Sequence, residues 1–435
     1  MKRLVHSALF LLLCLALCLV LGPAAFAAEG AVILPDSTTV IEAEAFAGDT
    51  GITSVTIPES VTMIGERAFY GCTNIKDVYY YGTVQQWDEI SIQSGNGPLT
   101  RASLHCSANP DDFYIELTYS HAFNPREWNY HAALLFSQMV ETMTEGHIKI
   151  NCYGERQLPC FQASIEKAIK GENWIGLEEP SLFADWVGDC AVLVGPMLYR
   201  NEGEYNYVMD SALTDNVKAA LAEKNIHILD THYTFGFRSL MTNEMITSPD
   251  DLSKINADGN REKMKIRSHS SPLFYETINA MGAKAVKMDF IDCLGAISNN
   301  ELDGFDGNIT TLAQTGLPPA YEVVKKVAET KHLISTRWLF MSETVYQSIP
   351  HKWRDNLDEA AAICAAWEQE KIYASEETMI NMLNNEAGVT WNSVNIDAFT
   401  RACDPVFEWI VQEYDADPLL HSKIVALVES YRAMQ

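Results

Sequence analysis

Between residues 35 and 75 the apolar and turn-forming positions recur at a fixed offset of 23 residues. Pro35 returns as Pro58, Ser37 as Ser60, Ile41 as Ile64, Ala45-Phe46 as Ala68-Phe69, Gly48 as Gly71 and Ile52 as Ile75. Two units are visible, and the clearer runs from Ile57 to Cys72. Val55 and Ile57 suit a strand with one buried face, while Phe69 and Ile75 suit the plug between successive coils. The pattern predicts a short β-rich solenoid.

After Pro110 the spacing changes. Strand-like runs at Tyr114 to Tyr119 and Ile148 to Tyr153 alternate with helical patterns at Glu127 to Met143 and Gln162 to Lys170. That alternation predicts an α/β unit with largely parallel strands. Further strands are expected at Ile226 to Leu229 and leading into Lys265-Ile266-Arg267. From Pro350, apolar residues fall at helical spacing through Trp353, Leu357, Ala361, Cys364, Trp367, Ile372, Met379 and Leu383, and Gly388 ends the run. A helix of that length reaches about 45 Å or more, which suits an element spanning two lobes.

The first residues change the picture by implying export. Lys2 and Arg3 precede an apolar run from Ala8 to Leu21, then Gly22-Pro23 and the small residues Ala24 to Ala28. This reads as a signal peptide over residues 1–28, cleaved near Ala27 or Ala28, and no later segment has the length and apolarity of a membrane span. Leu13 and Leu17 precede Cys14 and Cys18, so the small residue of a lipoprotein signal is missing and no lipid anchor is expected. Loss of Lys2 and Arg3 takes the formal charge from −27 to −29, which argues against nucleic acid and anionic membranes as partners. An anionic solute would then need a locally positive pocket, so a buried arginine becomes informative. Ten cysteines less Cys14 and Cys18 leave eight, with no Cys-x-x-Cys. Buried free thiols are expected, and Cys152 with Cys160 is the pair to test for a disulfide.

The repeats resemble the leucine-rich repeats of bacterial cell-surface proteins, over residues 29–107. Residues 108–435 resemble the solute-binding subunit of tripartite ATP-independent periplasmic (TRAP) transporters, dicarboxylate-binding class. The matching pieces appear in order: Gly154 to Leu158, Gly195 to Arg200, Gly236-Phe237-Arg238, Ser248 to Leu252, Lys265-Ile266-Arg267, Met281-Gly282-Ala283, Met288-Asp289-Phe290 and Leu302-Asp303-Gly304. The resemblance implies a two-lobed periplasmic-binding-protein-like fold with a hinge and a long helix beneath both lobes. It also implies that Arg267 grips the carboxylate of a small solute, since a guanidinium matches a carboxylate with two parallel hydrogen bonds and keeps its charge on burial. Arg238 matches a second arginine of that site, and Phe290 an aromatic that packs on the solute's carbon skeleton. Where the family places an asparagine this chain has Gly307, so Asn308 is expected to take that role. His121 and Glu179, the latter beside Glu178, fall where first-lobe loops reach the cleft; a glutamate there would favour hydroxyl-bearing solutes over a second carboxylate. The loop Ser253 to Met264 reads as a surface insertion.

The partners implied are a small carboxylated solute (C4-dicarboxylate, sugar acid or similar), the TRAP membrane subunits, and a cell-surface partner for the repeats. No hydrolase, kinase or zinc motif occurs in the chain, so no enzyme activity, metal or cofactor is expected. The rival reading is a surface adhesion or sensing protein whose repeats bind a partner and whose lobes bind a cue.

Overall fold

The computed structural model describes residues 30–106, 113–255, 258–269, 271–314 and 319–435. The signal peptide expected over residues 1–28 lies outside them. Among the described residues no helix is long and apolar enough to cross a membrane. The chain divides into two compact units, residues 1–107 and 108–435.

The first unit stacks parallel strands into two sheets. One contains β1 (Ala31–Ile33), β3 (Ser54–Ile57), β5 (Asp77–Tyr80) and β7 (Ser103–Cys106), and the other β2 (Val40–Ile41), β4 (Met63–Ile64) and β6 (Ser91–Ile92). Register links Ala31 to Ser54 and Ser54 to Asp77 at the 23-residue period, then Asp77 to Ser103 at 26. The coil stack therefore extends one unit past the two visible in the sequence. Ile41, Val55, Ile57, Ile64, Phe69 and Val78 fill its core, with Phe69 stacked on Phe46 at 5.0 Å between centroids. Asn96 is buried there yet satisfied: it accepts from Phe69 N–H and donates to the carbonyls of Gly65 and Gln93, each at 2.9 Å.

The second unit is built on one mixed sheet. β8 (Ile115–Ser120), β9 (Ile148–Tyr153) and β10 (Trp174–Glu178) belong to the first lobe, and β14 (Lys265–Ser268), β15 (Lys284–Lys287) and β16 (Gly304–Gly307) to the second. Two 17-residue strands, β11 (Ile226–Thr242) and β17 (Lys326–Ser342), run antiparallel to each other through the middle and serve both lobes. The expected strand at Ile226 to Leu229 is thus the start of a much longer one, and the sheet is less parallel than the alternation suggested. Four register shifts interrupt the β11–β17 ladder between Ile228 and Leu240. Such breaks bend a strand without ending it, which is what a hinge shared by two lobes requires. β18 (Thr390–Asn392) adds to β17. The loop read as an insertion forms a small hairpin of β12 (Ser253–Ile255) and β13 (Arg261–Lys263), and Lys254 pairs with Asp303 at 2.5 Å.

The long helix spans His351–Asn385, 35 residues or roughly 50 Å, with Pro350 as its N-cap. It buries Trp353, Leu357, Ala361, Cys364, Ile372, Met379 and Leu383 of the stripe its spacing predicted, while Trp367 is half-buried. Glu368, on the same helix, is fully buried; it accepts from Asn129 Nδ2 at 2.8 Å and from Thr234 N–H at 3.1 Å, tying the helix to β11 at an irregular point. The eight cysteines of the described residues are all free thiols, Cys152 and Cys160 included.

Candidate functional site

β14 alternates, with Ile266 and Ser268 buried and Arg267 on the other face. Arg267 Nε donates to the Met288 carbonyl at 2.9 Å, and its guanidinium carbon lies 5.5 Å from the Phe290 ring centroid. No carboxylate of the described residues is within ion-pair reach, and both terminal nitrogens are unspent among them. Burial lowers its pKa and the charge of Asp306 acts against that, but a guanidinium stays protonated in either case. Phe290 opens the helix Phe290–Ser298 and packs edge-on against Phe305 of β16 at 5.3 Å, so one ring orients both the arginine and the sheet beneath it.

Arg238 sits on β11 and is spoken for. Its Nε donates to Asp306 Oδ2 at 2.7 Å, Nη2 to the Asp306 carbonyl at 2.8 Å, and its guanidinium carbon lies 5.0 Å from the Phe274 ring. Burial, the largest single influence, would raise the Asp306 carboxyl; the Arg238 charge and hydrogen bond together with His332 more than offset it and hold the group below the usual carboxylate range. His332 Nε2 stands 3.8 Å from Asp306 Oδ2, too far for a hydrogen bond, while its Nδ1 is 2.8 Å from Thr330 Oγ1.

Gly307 pairs with Ser239 of β11, and a Cβ there would meet the Phe305 ring at 3.0 Å, so this backbone has little room for an asparagine side chain. Asn308 is buried, and its Oδ1 accepts from Thr311 N–H and Oγ1 at 2.8 Å each, capping the helix Ile309–Gln314. That leaves its Nδ2 as the group able to meet a solute. Glu179 is also committed: it accepts from Ser181 N–H at 3.0 Å and from Ser181 Oγ, at the start of the 3₁₀ turn Pro180–Phe183.

His121 differs from expectation. It is 0 % exposed, packed among Phe123, Tyr130 and Tyr119, with Nδ1 accepting from Phe123 N–H at 3.3 Å and Nε2 3.5 Å from Cys152 Sγ. Burial pushes its pKa down to about 4, so it is a neutral core histidine without a face toward the cleft.

Three further groups converge on the arginines; the sequence pointed to Glu178, beside Glu179, and not to His269 or Arg337. Glu178 accepts from Phe161 N–H at 2.7 Å, and burial raises its carboxyl to about 7. His269 lies two residues past Arg267; burial, and then the charges of Arg337, Arg238 and Arg267, hold it well below the ordinary imidazole value. Its Nδ1 accepts from Ser271 N–H at 3.2 Å, which places the ring proton on Nε2. Arg337, on β17, donates from Nη1 to the Thr336 carbonyl at 2.7 Å and stacks over Phe235 at 5.1 Å. It keeps part of its surface open while burial is still the first cause lowering its pKa; both hold for a group on the floor of a narrow cleft. The lobes touch across that cleft: Ser181 Oγ and Ser271 Oγ are 2.6 Å apart, and the Phe161 and His269 rings are 6.2 Å apart. A cavity of about 780 Å³ opens elsewhere, between residues 329–331 of β17 and the helices Ile396–Tyr414 and Leu420–Met434, and none of these groups lines it.

Residues 119–413 match the family described as bacterial extracellular solute-binding protein, family 7, and residues 25–97 match six copies of the BspA-type leucine-rich repeat region. A solute-binding protein of Chromohalobacter salexigens is 26 % identical over 304 residues, covering 66 % of this chain and 85 % of that one. The sialic acid-binding periplasmic protein of Vibrio cholerae is 22 % identical over 302 residues, covering 68 % and 88 %. The crystal structure of a TRAP periplasmic solute-binding protein from Desulfovibrio salexigens, in complex with diglycerolphosphate, superposes with a TM-score of 0.67 at 28 % identity over 74 % of this chain and 99 % of that one. Ordered strands, shared hinge and unpaired arginine thus agree with the family match: this chain belongs to the family 7 extracellular solute-binding proteins, the binding subunits of TRAP transporters, and carries BspA-type repeats ahead of that domain.

Proposed function

We propose that the α/β unit captures a small carboxylated solute outside the cytoplasm and presents it to TRAP membrane subunits. Arg267 receives the carboxylate through its two terminal nitrogens, and Arg238, fixed by Asp306, stands beside it. Phe290 lies along the carbon skeleton, and Asn308 Nδ2 offers a further donor. One observation carries the reading: in a chain of net charge −27, Arg267 is largely buried with no carboxylate partner among the described residues. An arginine in that state is poised for an anion, because the protein has already spent the desolvation cost that a bound carboxylate would share. The named relatives bind sialic acid and diglycerolphosphate, each an anionic group joined to hydroxyls, which supports an acid-bearing solute. Closure would follow from bridging, since a solute held by groups on both lobes favours the state in which Ser181 and Ser271 meet.

A thermal-shift screen of organic and sugar acids against the mature chain tests this. An acid that binds raises the unfolding midpoint by mass action, and Arg267→Ala should lose that shift. A broad acid panel without a single shift, or an Arg267→Ala protein that binds as the parent does, would end the proposal.

A further inference from the structure

Resting on the carboxylate reading above, we propose that Arg337 is a solute-contacting residue that, with Glu178 and Glu179 beside it, reads hydroxyl groups at the end of the solute away from Arg267.

The placement comes first. Arg267 lies on β14 and Arg337 on β17, with β16 and β11 between them in the sheet, and β10 pairs Glu178 with Trp338, the residue next to Arg337. A solute held by its carboxylate at Arg267 that extends across the sheet, past Arg238 on β11, reaches Arg337. The side chain there is held rigidly. Stacking on Phe235, which packs on Phe123 at 5.3 Å, and the bond from Nη1 to the Thr336 carbonyl fix the guanidinium plane. Its Nε and Nη2 donors have no protein acceptor among the described residues. No carboxylate of those residues reaches ion-pair distance either, although Glu179 and Glu178 supply the strongest opposite charge acting on it. A desolvated arginine with unspent donors costs stability unless something in the cleft accepts from them.

The neighbours decide what that something is. At Arg267 the surroundings favour an anion. Glu179 and Glu178 exert the largest opposite charges on Arg337, and a second carboxylate brought there would meet like charge. A hydroxyl suits the mixture, because it can accept from Arg337 and donate to a glutamate oxygen. Glu178 has one oxygen, Oε2, without a protein donor among the described residues; Glu179 has both occupied by Ser181, so Glu178 is the open acceptor. His269 Nε2–H adds a donor that stays neutral. Phe235 backs the Arg337 guanidinium, and the Phe161 ring lies against His269. The combination fits a hydroxylated monoacid better than a dicarboxylate of equal length.

The test is calorimetric titration of the full mature chain with acids paired by length: glycerate and propionate, galactonate and hexanoate, with galactarate as the hydroxylated diacid. The parent should bind one hydroxylated monoacid at least about 100-fold more tightly than its deoxygenated partner and than the diacid, as a site built for hydroxyls does. Arg337→Gln should lower that affinity about 10- to 100-fold and collapse the preference, with Arg337→Lys intermediate, while Arg267→Ala loses hydroxylated and plain acids together. If Arg337→Gln leaves the preference intact, or weakens both members of a pair equally, Arg337 only supports the fold and the inference fails alone. Tight binding of galactarate or of the plain acids by the parent also overturns it while sparing Arg267. If no acid in the panel binds, the carboxylate reading falls and takes this inference with it.

Discussion

The two units of this chain treat buried polar groups in opposite ways. In the repeats, Asn96 is buried with all its bonding capacity used, and no buried side-chain polar atom among the described residues of that unit lacks a partner. In the α/β unit, the hydroxyls of Tyr119, Thr231, Tyr233, Ser268, Thr336 and Tyr373, along with Asn129 Oδ1, Asp306 Oδ1, Asp358 Oδ1 and His332 Nε2, have no protein partner among the described residues. Four of those ten lie on β11 and β17, the strands both lobes share, and two more on β14 and β16 beside the arginines. Protein interiors rarely leave such atoms unserved. A region that must change shape and hold a polar solute tolerates them, and one that only holds a shape does not. The repeats are therefore a rigid coil stack, and the strands of the α/β unit carry the polar cost of function.

That contrast can be broken from either side. The largest effect is expected for Asp306→Ala, which leaves the buried Arg238 guanidinium without its 2.7 Å partner; the loss should be about 3–5 kcal/mol in the α/β unit's chemical-denaturation transition. Phe69→Ala should cost the repeats a comparable or slightly smaller amount by opening a cavity against Phe46, yet leave acid binding unchanged by titration. If Phe69→Ala impairs binding, the units are not independent in the sense argued here.

The pH response should also belong to the α/β unit, with two opposed contributions. His121 has its folded pKa depressed to about 4, so the stability it contributes is present above about 6.5 and lost as pH falls through about 4. Glu178 has its folded pKa raised to about 7, so its contribution is present below about 4.5 and lost as pH rises through 7. Each shift corresponds to roughly 3 kcal/mol across its window. Glu178→Gln should therefore look more favourable relative to the parent at pH 8 than at pH 4.5, and His121→Gln more favourable at pH 4 than at pH 7, both read from unfolding midpoints. A pH-independent difference in either case would remove that group from the account. The smallest effect is expected for Ser271→Ala, which takes away the 2.6 Å contact to Ser181 and should weaken solute binding by about 1 kcal/mol with little change in the unliganded midpoint.

Much of this was readable from residue order. The 23-residue period announced the coil stack because each coil must repeat the same plug, and the stripe from Trp353 to Leu383 announced the long helix. Arg267 and Arg238 were carried by motifs whose spacing follows strand and turn lengths. What was not readable depends on contacts between distant segments. His121 looked available until β9 and the helix Trp128–Met143 folded over it, and Glu179 looked open until Ser181 turned back to bond it. β11 and β17 hid as long strands because their bulges break the alternation that marks a strand. Arg337 had a faint local signal, a lone charge within the apolar and hydroxyl run Leu333 to Ser342, and its meaning came only from Phe235 and His269 beside it.

The central claim is that Arg267 holds the carboxylate of a bound solute, and titration of the parent and Arg267→Ala with the tightest acid from the panel tests it most directly. Loss of a two-pronged charge-assisted contact predicts a fall in affinity of about 100-fold or more, with the unliganded unfolding midpoint little changed. An Arg267→Ala protein that binds that acid within about threefold of the parent would contradict the account.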